Sequence, residues 1–158
     1  MGTKRRKMKV MIIMGSESDK PVMQESLNHL AYFNIEGEMI VASAHRNPDK
    51  VRDLCINAQK NGFGVIIAAA GMAAALPGVV SAYTSLPVLG VPLEGGLSGG
   101  VDALYSIVQM PAGLPVGTLA VGKAGARNAA ILAARILALG NPAIAERVEA
   151  FKQNAYRI

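Results

Sequence analysis

Short apolar runs alternate along this chain with longer segments in which apolar residues recur every three or four positions. The runs are rich in β-branched residues and predict five strands, at residues 10–14, 38–42, 64–69, 87–91 and 116–121. The longer segments predict helices at residues 19–33, 48–59, 73–83, 101–108 and 124–139, with a last helix beginning at Pro142. Such regular alternation of strand and helix indicates an α/β domain.

Capping residues mark several of these helix ends. Ser98 is a candidate cap for the helix at 101–108, and Gly140 is suited to end the helix at 124–139. Asn141 and Pro142 are the residue types expected at the cap and the first turn of the last helix.

The third run is apolar throughout, as expected of a central strand in a parallel sheet. We therefore expect a three-layer, Rossmann-like architecture, an open parallel sheet of about five strands with helices on both faces. The chain has 158 residues, enough for one such domain with a buried core, which we place at residues 10–158. Ligands of these sheets bind outside the carboxyl ends of the strands, so the loops after the first three strands form the candidate site.

The excess of basic residues lies at the start of the chain. The net charge is +5, but five of the 16 basic residues precede the first strand, namely Lys4, Arg5, Arg6, Lys7 and Lys9. Without them, 11 basic residues face 11 acidic ones, so residues 1–9 form a basic tail on a neutral body. We therefore expect no nucleic acid partner.

The cysteine content and the hydropathy of the chain lead to expectations about its cellular compartment and its oligomeric state. Cys55 is the only cysteine, so no disulfide framework can form within the chain, which suits a reducing cytoplasm. The uncharged stretch at 61–93 is broken by glycine and proline and the first apolar run is short, so we expect neither a membrane helix nor a signal peptide. The helix at 124–139 carries only Arg127 and Arg135 as charges and needs neighbours on several sides, so we expect a homo-oligomer.

The loop after the first strand, residues 15–19, combines a glycine with hydroxyl and carboxyl side chains. Gly15 allows a sharp turn close to a ligand, Ser16 offers a hydroxyl donor, and the N–H groups of the next helix favour phosphate. Asp19 would accept hydrogen bonds from ribose hydroxyls. An ordinary helix cap explains the same residues equally well, and neither a dinucleotide-binding nor a P-loop motif is present.

The loop after the second strand places a histidine and an arginine side by side. Arg46 can bind phosphate with its planar fork, and the imidazole of His45 can give and take protons near neutral pH. A structural hydrogen bond is the alternative role for His45. The other histidine, His29, falls on the first helix, where a surface or interface role is expected.

The loop after the third strand, residues 70–78, has no side chain suited to chemistry. Its backbone N–H groups at a helix start could hold a carboxylate. A tight turn packed on its neighbours is the alternative.

Together these segments make the sequence similar to the PurE family, the 5-(carboxyamino)imidazole ribonucleotide mutases of purine biosynthesis. The similarity covers nearly the whole chain after the basic tail. It is carried by residues 14–19, 43–46, 74, 76–78, 87–92, 106–111, 122–125 and 128–130.

This resemblance implies a flavodoxin-like sheet, a homo-octamer with its sites at subunit contacts, and no metal, nucleotide cofactor or biotin. It implies that N-carboxyaminoimidazole ribonucleotide is converted to the isomer carboxylated on ring carbon, with His45 as general acid and base. By position, Ser16, Ser43 and Arg46 would hold the phosphate, Asp19 the ribose, and the backbone of Ala70 and Gly71 the carboxylate or carbon dioxide. The remaining expected substrate contacts are Gly15, Ala44, Ala73 and Leu76.

This chain departs from the family pattern at two positions, with Ala75 in place of a histidine and Met72 in place of a glycine.

Carbon dioxide would escape from an open pocket, so we also expect the site to be closed over it.

Two alternatives stand beside the mutase. One is the related carboxylase, which takes dissolved carbon dioxide and the uncarboxylated ribonucleotide; Arg46 after His45 and the run at 109–111 favour the mutase. The other is a non-catalytic flavodoxin-like module. A receiver would need an aspartate where Ala69 and Ala70 end the third strand, and a flavin carrier would need aromatic residues in the three loops.

Overall fold

Each of the five predicted apolar runs contains a strand of one parallel sheet, although the last run, predicted at 116–121, contributes only two residues to it. In the computed structural model, which describes residues 8–158, these are β1 (Lys9–Met14), β2 (Gly37–Val41), β3 (Phe63–Ala70), β4 (Val88–Pro92) and β5 (Gly117–Thr118). Their order across the sheet is β2-β1-β3-β4-β5, with every neighbouring pair parallel. This is the flavodoxin-like order, whose switch point lies between β1 and β3.

Within residues 8–158, six α-helices connect and cover the strands. They are α1 (Lys20–Tyr32), α2 (Pro48–Asn57), α3 (Leu76–Tyr83), α4 (Val101–Val108), α5 (Lys123–Ala138) and α6 (Pro142–Gln153). Alternate residues of β1 point to opposite faces, as the strand period requires. Ile12 and Met14 pack in the cluster that contains residues of α1, α5 and α6, whereas Met11 and Ile13 pack with α2, α3 and α4. The predicted three layers are therefore present.

The predicted basic tail and the folded domain meet at Lys9. Residues 1–7, which include four of the five basic residues assigned to the tail, lie outside the described residues. Lys9 is the first residue of β1, where its ammonium group lies 2.8 Å from Glu38 and 4.3 Å from the centre of the Phe63 ring. The strand therefore begins one residue before the predicted domain boundary.

Several predicted element ends are displaced. The chain makes a 3₁₀ turn at Glu17–Asp19 before α1, and α3 begins at Leu76 because Ala73 has a left-handed φ of 47°. Ser98 does not cap α4; it also has a left-handed φ, and Gly100 takes the cap position. Asn141 caps α6 as predicted, with its side-chain oxygen 3.1 Å from the amide of Ala143.

The reason we gave for oligomerisation from α5 is wrong. The apolar faces of α5 find their neighbours within the same chain, against α1, α6 and strands β3 and β4. Small residues allow this close packing, among them Ala126, Ala129, Ala130, Ala133 and Ala134. Ser26 of α1 donates a buried hydrogen bond of 2.6 Å to the Ala126 carbonyl, and Arg127 pairs with Glu25 at 2.9 Å. The hydrogen bond from Arg127 lowers the pKa of the Glu25 carboxyl.

His29 and Cys55 are both buried in the folded chain. His29 is only 6% exposed; its Nδ1 atom lies 2.8 Å from the Glu25 carbonyl and its ring meets Phe151 edge-on. It is therefore part of the core rather than of a surface. Cys55 is fully buried in α2, and burial raises the pKa of its thiol to about 11. A protonated, enclosed thiol is a poor nucleophile, so Cys55 is structural.

Within residues 8–158, no helix has both the length and the apolar content required to cross a bilayer.

Candidate active site

The three candidate loops leave the sheet side by side. Met14, at the end of β1, is in register with Val41 of β2 and with Ala69 of β3. Neighbouring strands are about 4.8 Å apart, so the three loops emerge within roughly 10 Å of one another at the carboxyl edge. The prediction that loops one, two and three share one edge is confirmed.

The first loop is held by a reciprocal pair of hydrogen bonds. The Ser16 hydroxyl accepts from the amide of Ser18 at 3.3 Å, and the Ser16 amide donates to the Asp19 carboxylate at 3.1 Å. This is a capping box, so the capping role considered for these residues is present. Ser16 and Ser18 are nevertheless exposed, with their hydroxyl oxygens 2.9 Å apart, and both can reach a ligand.

The turn after β1 does not require glycine at position 15, contrary to our expectation. The φ of Gly15 is not in the left-handed region, so another residue could adopt this backbone conformation. A Cβ at Gly15 would meet nothing within 4 Å, which leaves open space beside the loop for a ligand.

Asp19 lies partly buried between the first loop and α1. Desolvation raises the pKa of its carboxyl, and the hydrogen bond from the Ser16 amide offsets part of that effect. A carboxylate in this position retains acceptor sites beyond the one that the capping box uses. It is therefore suited to accept hydrogen bonds from hydroxyl groups.

In the second loop, Ser43 organises the backbone that follows it. Its hydroxyl oxygen accepts from the amides of His45 and Arg46, at 3.3 and 3.2 Å, and its carbonyl accepts from Asn47 at 2.9 Å. Because both N–H groups point at the oxygen's lone pairs, the hydroxyl hydrogen remains available for an outside acceptor. The Ser43 hydroxyl is therefore free to donate to an anion.

The side chains of His45 and Arg46 are exposed at this edge, next to the partly buried Ala44. Among the described residues, the imidazole of His45 has no hydrogen bond or ion pair, so the structural role considered for it is not present. The guanidinium of Arg46 likewise has no acidic partner in the described part of the chain. One chain by itself does not enclose these two side chains, contrary to the closed pocket that we expected.

The third loop presents backbone rather than side chains. Ala70 and Leu76 are buried, and the Ala70 carbonyl accepts from the Leu93 amide at 2.9 Å. The Ala74 amide closes the hydrogen-bonded turn at residues 72–73, whereas within residues 8–158 the amides of Met72 and Ala73 have no hydrogen-bond partner. They are free to bind an anion, in a loop where Ala73 already has a left-handed φ of 47°.

Gly71 and Ala75 complete this loop. A Cβ at Gly71 would make only ordinary contacts, 3.6 Å from Leu93 and from the Glu94 carbonyl, so space alone does not demand glycine there. Ala75 immediately precedes α3 and is partly buried, and it adds no polar group to the site.

A cleft of about 620 Å³ extends the site past Asp19 towards β5. Glu94 and Lys123 line it; sequence reasoning missed both, although they follow β4 and β5 at the same edge. The Glu94 carboxylate lies 3.2 Å from where a Cβ on Gly122 would stand, at the N-terminus of α5. Two carboxylates against one lysine make this cleft less favourable for phosphate than the loop of Ser43 and Arg46.

Metal-ligating side chains are not clustered in the described part of the chain. Residues 8–158 contain no group of three or more histidine, cysteine, aspartate or glutamate side chains arranged to hold a metal ion.

Comparison with known proteins identifies the family. The family model described as AIR carboxylase matches residues 9–157. This chain belongs to the AIR carboxylase family. N5-carboxyaminoimidazole ribonucleotide mutase of Haemophilus influenzae is 54% identical over 145 residues, 92% of this chain and 88% of that protein. The mutase of the same name from Escherichia coli K12 is 48% identical over 153 residues, 97% of this chain and 90% of that protein.

A solved structure in this family also has the same fold. The crystal structure of Treponema denticola PurE superposes with a TM-score of 0.84 at 28% sequence identity, covering 92% of this chain and 90% of that one. The resemblance noted from the loop motifs is therefore confirmed. So is the flavodoxin-like sheet that places these loops at one edge.

Proposed function

We propose that this AIR carboxylase family member is an isomerase, a mutase that moves a carboxyl group on an aminoimidazole ribonucleotide from nitrogen to ring carbon. The observation that carries the proposal is the loop of Ser43, His45 and Arg46, which presents a hydroxyl donor, an imidazole and a guanidinium at one strand end, the latter two without side-chain partners among residues 8–158. The names of relatives about half identical over most of the chain support the same activity.

Each part of the substrate has a matching group. The phosphate lies on Arg46 and the Ser43 hydroxyl, because Arg46 has no acidic partner among the described residues, and the exposed Ser16 hydroxyl is a further donor. The ribose hydroxyls donate to Asp19. The carboxylate, or carbon dioxide once it forms, lies on the backbone N–H groups that follow Ala70 and Gly71.

The chemistry needs a proton to be given and then taken. In the first step the C–N bond to the carboxylate breaks, carbon dioxide leaves, and the electron pair passes through the amine into the ring. The ring carbon accepts a proton from His45. The exocyclic nitrogen is then an imine. His45 takes one proton back from the ring carbon, and the electron pair of that C–H bond forms the new C–C bond to carbon dioxide. The remaining proton moves from the ring carbon to the imine nitrogen, which restores the aromatic ring and the amine, so the overall reaction neither consumes nor releases a proton.

Substrate labelled with ¹³C in its carboxyl group tests this proposal against the carboxylase that the family description names. The purified protein is given this substrate in buffer with excess unlabelled bicarbonate. A mutase returns carbon-carboxylated product that keeps the label, whereas a carboxylase working on released ribonucleotide loses it to the bicarbonate pool. Absence of turnover, or product formed only with added bicarbonate and without label, would contradict the mutase.

We further propose that the protein works as a homo-oligomer, an octamer by family resemblance, in which a second copy closes the site. The exposure of His45 and Arg46 supports this, because carbon dioxide must be retained. A stripe of exposed apolar residues provides a surface for such contacts: Val101, Tyr105 and Val108 follow one another at helical spacing along α4, and the exposed Leu97 lies in the turn before it.

Light scattering checks the assembly. Tyr105 is 66% exposed, so Tyr105→Lys should keep the fold yet lower the particle mass, whereas Leu139→Lys, beyond the end of α5, should not. A wild-type protein that stays monomeric at micromolar concentration would contradict the assembly.

A cytoplasmic location is part of the same proposal, since the single cysteine is a free thiol.

A further inference from the structure

On the outer edge of β2, a backbone carbonyl accepts its hydrogen bond from a side chain rather than from another strand. β2 lies at the end of the sheet and pairs only with β1. At the last residue of β2, the Val41 carbonyl accepts a hydrogen bond of 2.9 Å from the ammonium group of Lys50. Lys50 belongs to the first turn of α2, so this bond joins the two elements that flank the His45 loop.

The loop between them is fixed at three other points. On the inner side, the Ala42 amide donates to the Met14 carbonyl of β1 at 2.9 Å. Within the loop, the Ser43 hydroxyl accepts from His45 and Arg46. On the α2 side, Val51 is fully buried and its amide donates to the Asn47 carbonyl at 3.1 Å. The Asn47 amide also donates to the Ser43 carbonyl at 2.9 Å, which closes the loop itself. Among the described residues, the Lys50 bond is the one side-chain hydrogen bond that joins β2 to α2.

We propose that Lys50 is a positioning residue, which holds the loop in the conformation that aims His45 and Arg46 at the substrate. Lys50 is exposed, and among residues 8–158 it has no acidic partner, so its ordered contact is the Val41 carbonyl. It acts through the backbone and touches no reacting atom. A base used for two proton transfers depends on placement to within a fraction of an ångström. The inference rests on the proposed function for its kinetic consequence, but its structural consequence can be measured without substrate.

Lys50→Met tests the proposal, because methionine keeps most of the aliphatic stem and removes the donor. The hydrogen bond limits opening of the loop by about 3- to 10-fold, so we expect kcat to fall by about that factor while the melting temperature falls by a few degrees at most. Hydrogen–deuterium exchange of a peptide covering residues 42–47 should become faster by a similar factor. Lys50→Arg, which can still donate to Val41, should restore both values.

Lys60→Met is the matched control. Lys60 is also exposed, but it follows the carboxyl end of α2 and thus lies at the opposite edge of the sheet. It should leave kcat and loop exchange unchanged.

Three results would overturn the proposal. The first is normal kcat and normal exchange in Lys50→Met. The second is a rise in KM alone that disappears in high salt, which would mean that Lys50 only attracts the phosphate. The third is a lower melting temperature with full activity per folded molecule. Wild-type protein without mutase activity would instead contradict the proposed function, and the exchange measurement would still decide the role of Lys50.

Discussion

The hydroxyl oxygen of Ser43 lies 3.2 Å from the amide nitrogen of Arg46 and accepts its hydrogen bond. The same oxygen accepts from the amide of His45 at 3.3 Å, so one side chain orders the backbone of both residues to which we assign the chemistry and the phosphate. Ser43→Ala removes this acceptor and the proposed phosphate donor together. We expect substrate affinity to fall about 10-fold, the value of one charge-assisted hydrogen bond. Calorimetric titration measures it, and Ser43→Thr, which keeps the hydroxyl, should bind nearly normally.

Arg46 provides the direct test of the phosphate position. Arg46→Ala should weaken ribonucleotide binding by about 1.5–3 kcal/mol, because a charge-assisted contact to the phosphate is lost. Arg52→Ala is the control, since Arg52 is a second exposed arginine on the same segment, within α2. Equal affinities for wild type and Arg46→Ala would place the phosphate elsewhere.

The positions of strands and helices could be predicted because each depends on local patterns. The apolar run at β3 and the capping residues Asn141 and Pro142 of α6 are examples. The edge at which the loops meet followed from the parallel arrangement alone, which requires every strand to end on the same side.

What could not be predicted depends on contacts between distant residues. The neighbours of α5 come from α1 and α6, and the burial of His29 depends on Phe151, 122 positions further along the chain. No local signal shows that Ala73 adopts a left-handed conformation or that Lys50 reaches back to Val41. Glu94 and Lys123 could have been found, since the rule that selected three loops applies to all five strands.

The pKa of Asp19 gives a pH-dependent prediction. Burial raises this pKa in the folded state above its ordinary value, so the folded protein binds the proton more tightly than the unfolded chain does. The wild type should therefore gain stability relative to Asp19→Asn as the pH falls from 7 towards 4. Asparagine can still accept from the Ser16 amide, so at pH 7 the variant should melt no lower than the wild type.

Asp19→Asn should nevertheless bind substrate less well. Loss of a charged acceptor for ribose hydroxyls should raise KM about 10-fold or more. Melting curves between pH 4 and 7 and steady-state kinetics at pH 7 check the two parts separately. A variant with unchanged KM would remove Asp19 from the ribose site.

Gly125 tests how closely α5 packs. A Cβ at this position would collide with the carbonyl oxygen of Ala120, and backbone cannot move aside as a flexible side chain can. Gly125→Ala should lower the free energy of unfolding by about 1–3 kcal/mol or more. Gly15→Ala, where a Cβ would meet nothing within 4 Å, is the control and should not destabilise. Urea denaturation of both variants compares them, and equal stabilities would contradict this packing.

His45 carries the sharpest prediction. His45→Asn keeps a similar size and polarity but cannot exchange a proton in the neutral range. Because the His45 ring is exposed and makes no hydrogen bond within the described part of the chain, the variant should fold, melt and bind ribonucleotide like the wild type. Turnover should fall at least about 10²-fold, the lower end of what a positioned acid–base group contributes.

The second histidine is the control for this experiment. His29 is buried against Phe151 and its Nδ1 atom is hydrogen-bonded, so His29→Asn should lower the melting temperature while activity per folded molecule is retained. Melting temperature and turnover are measured on the same preparation of each variant. The two variants should thus show opposite patterns. His45→Asn should lose activity but keep its stability, whereas His29→Asn should lose stability but keep its activity. A stable His45→Asn protein with near-normal turnover would remove His45 from the mechanism, and another group would have to supply the proton.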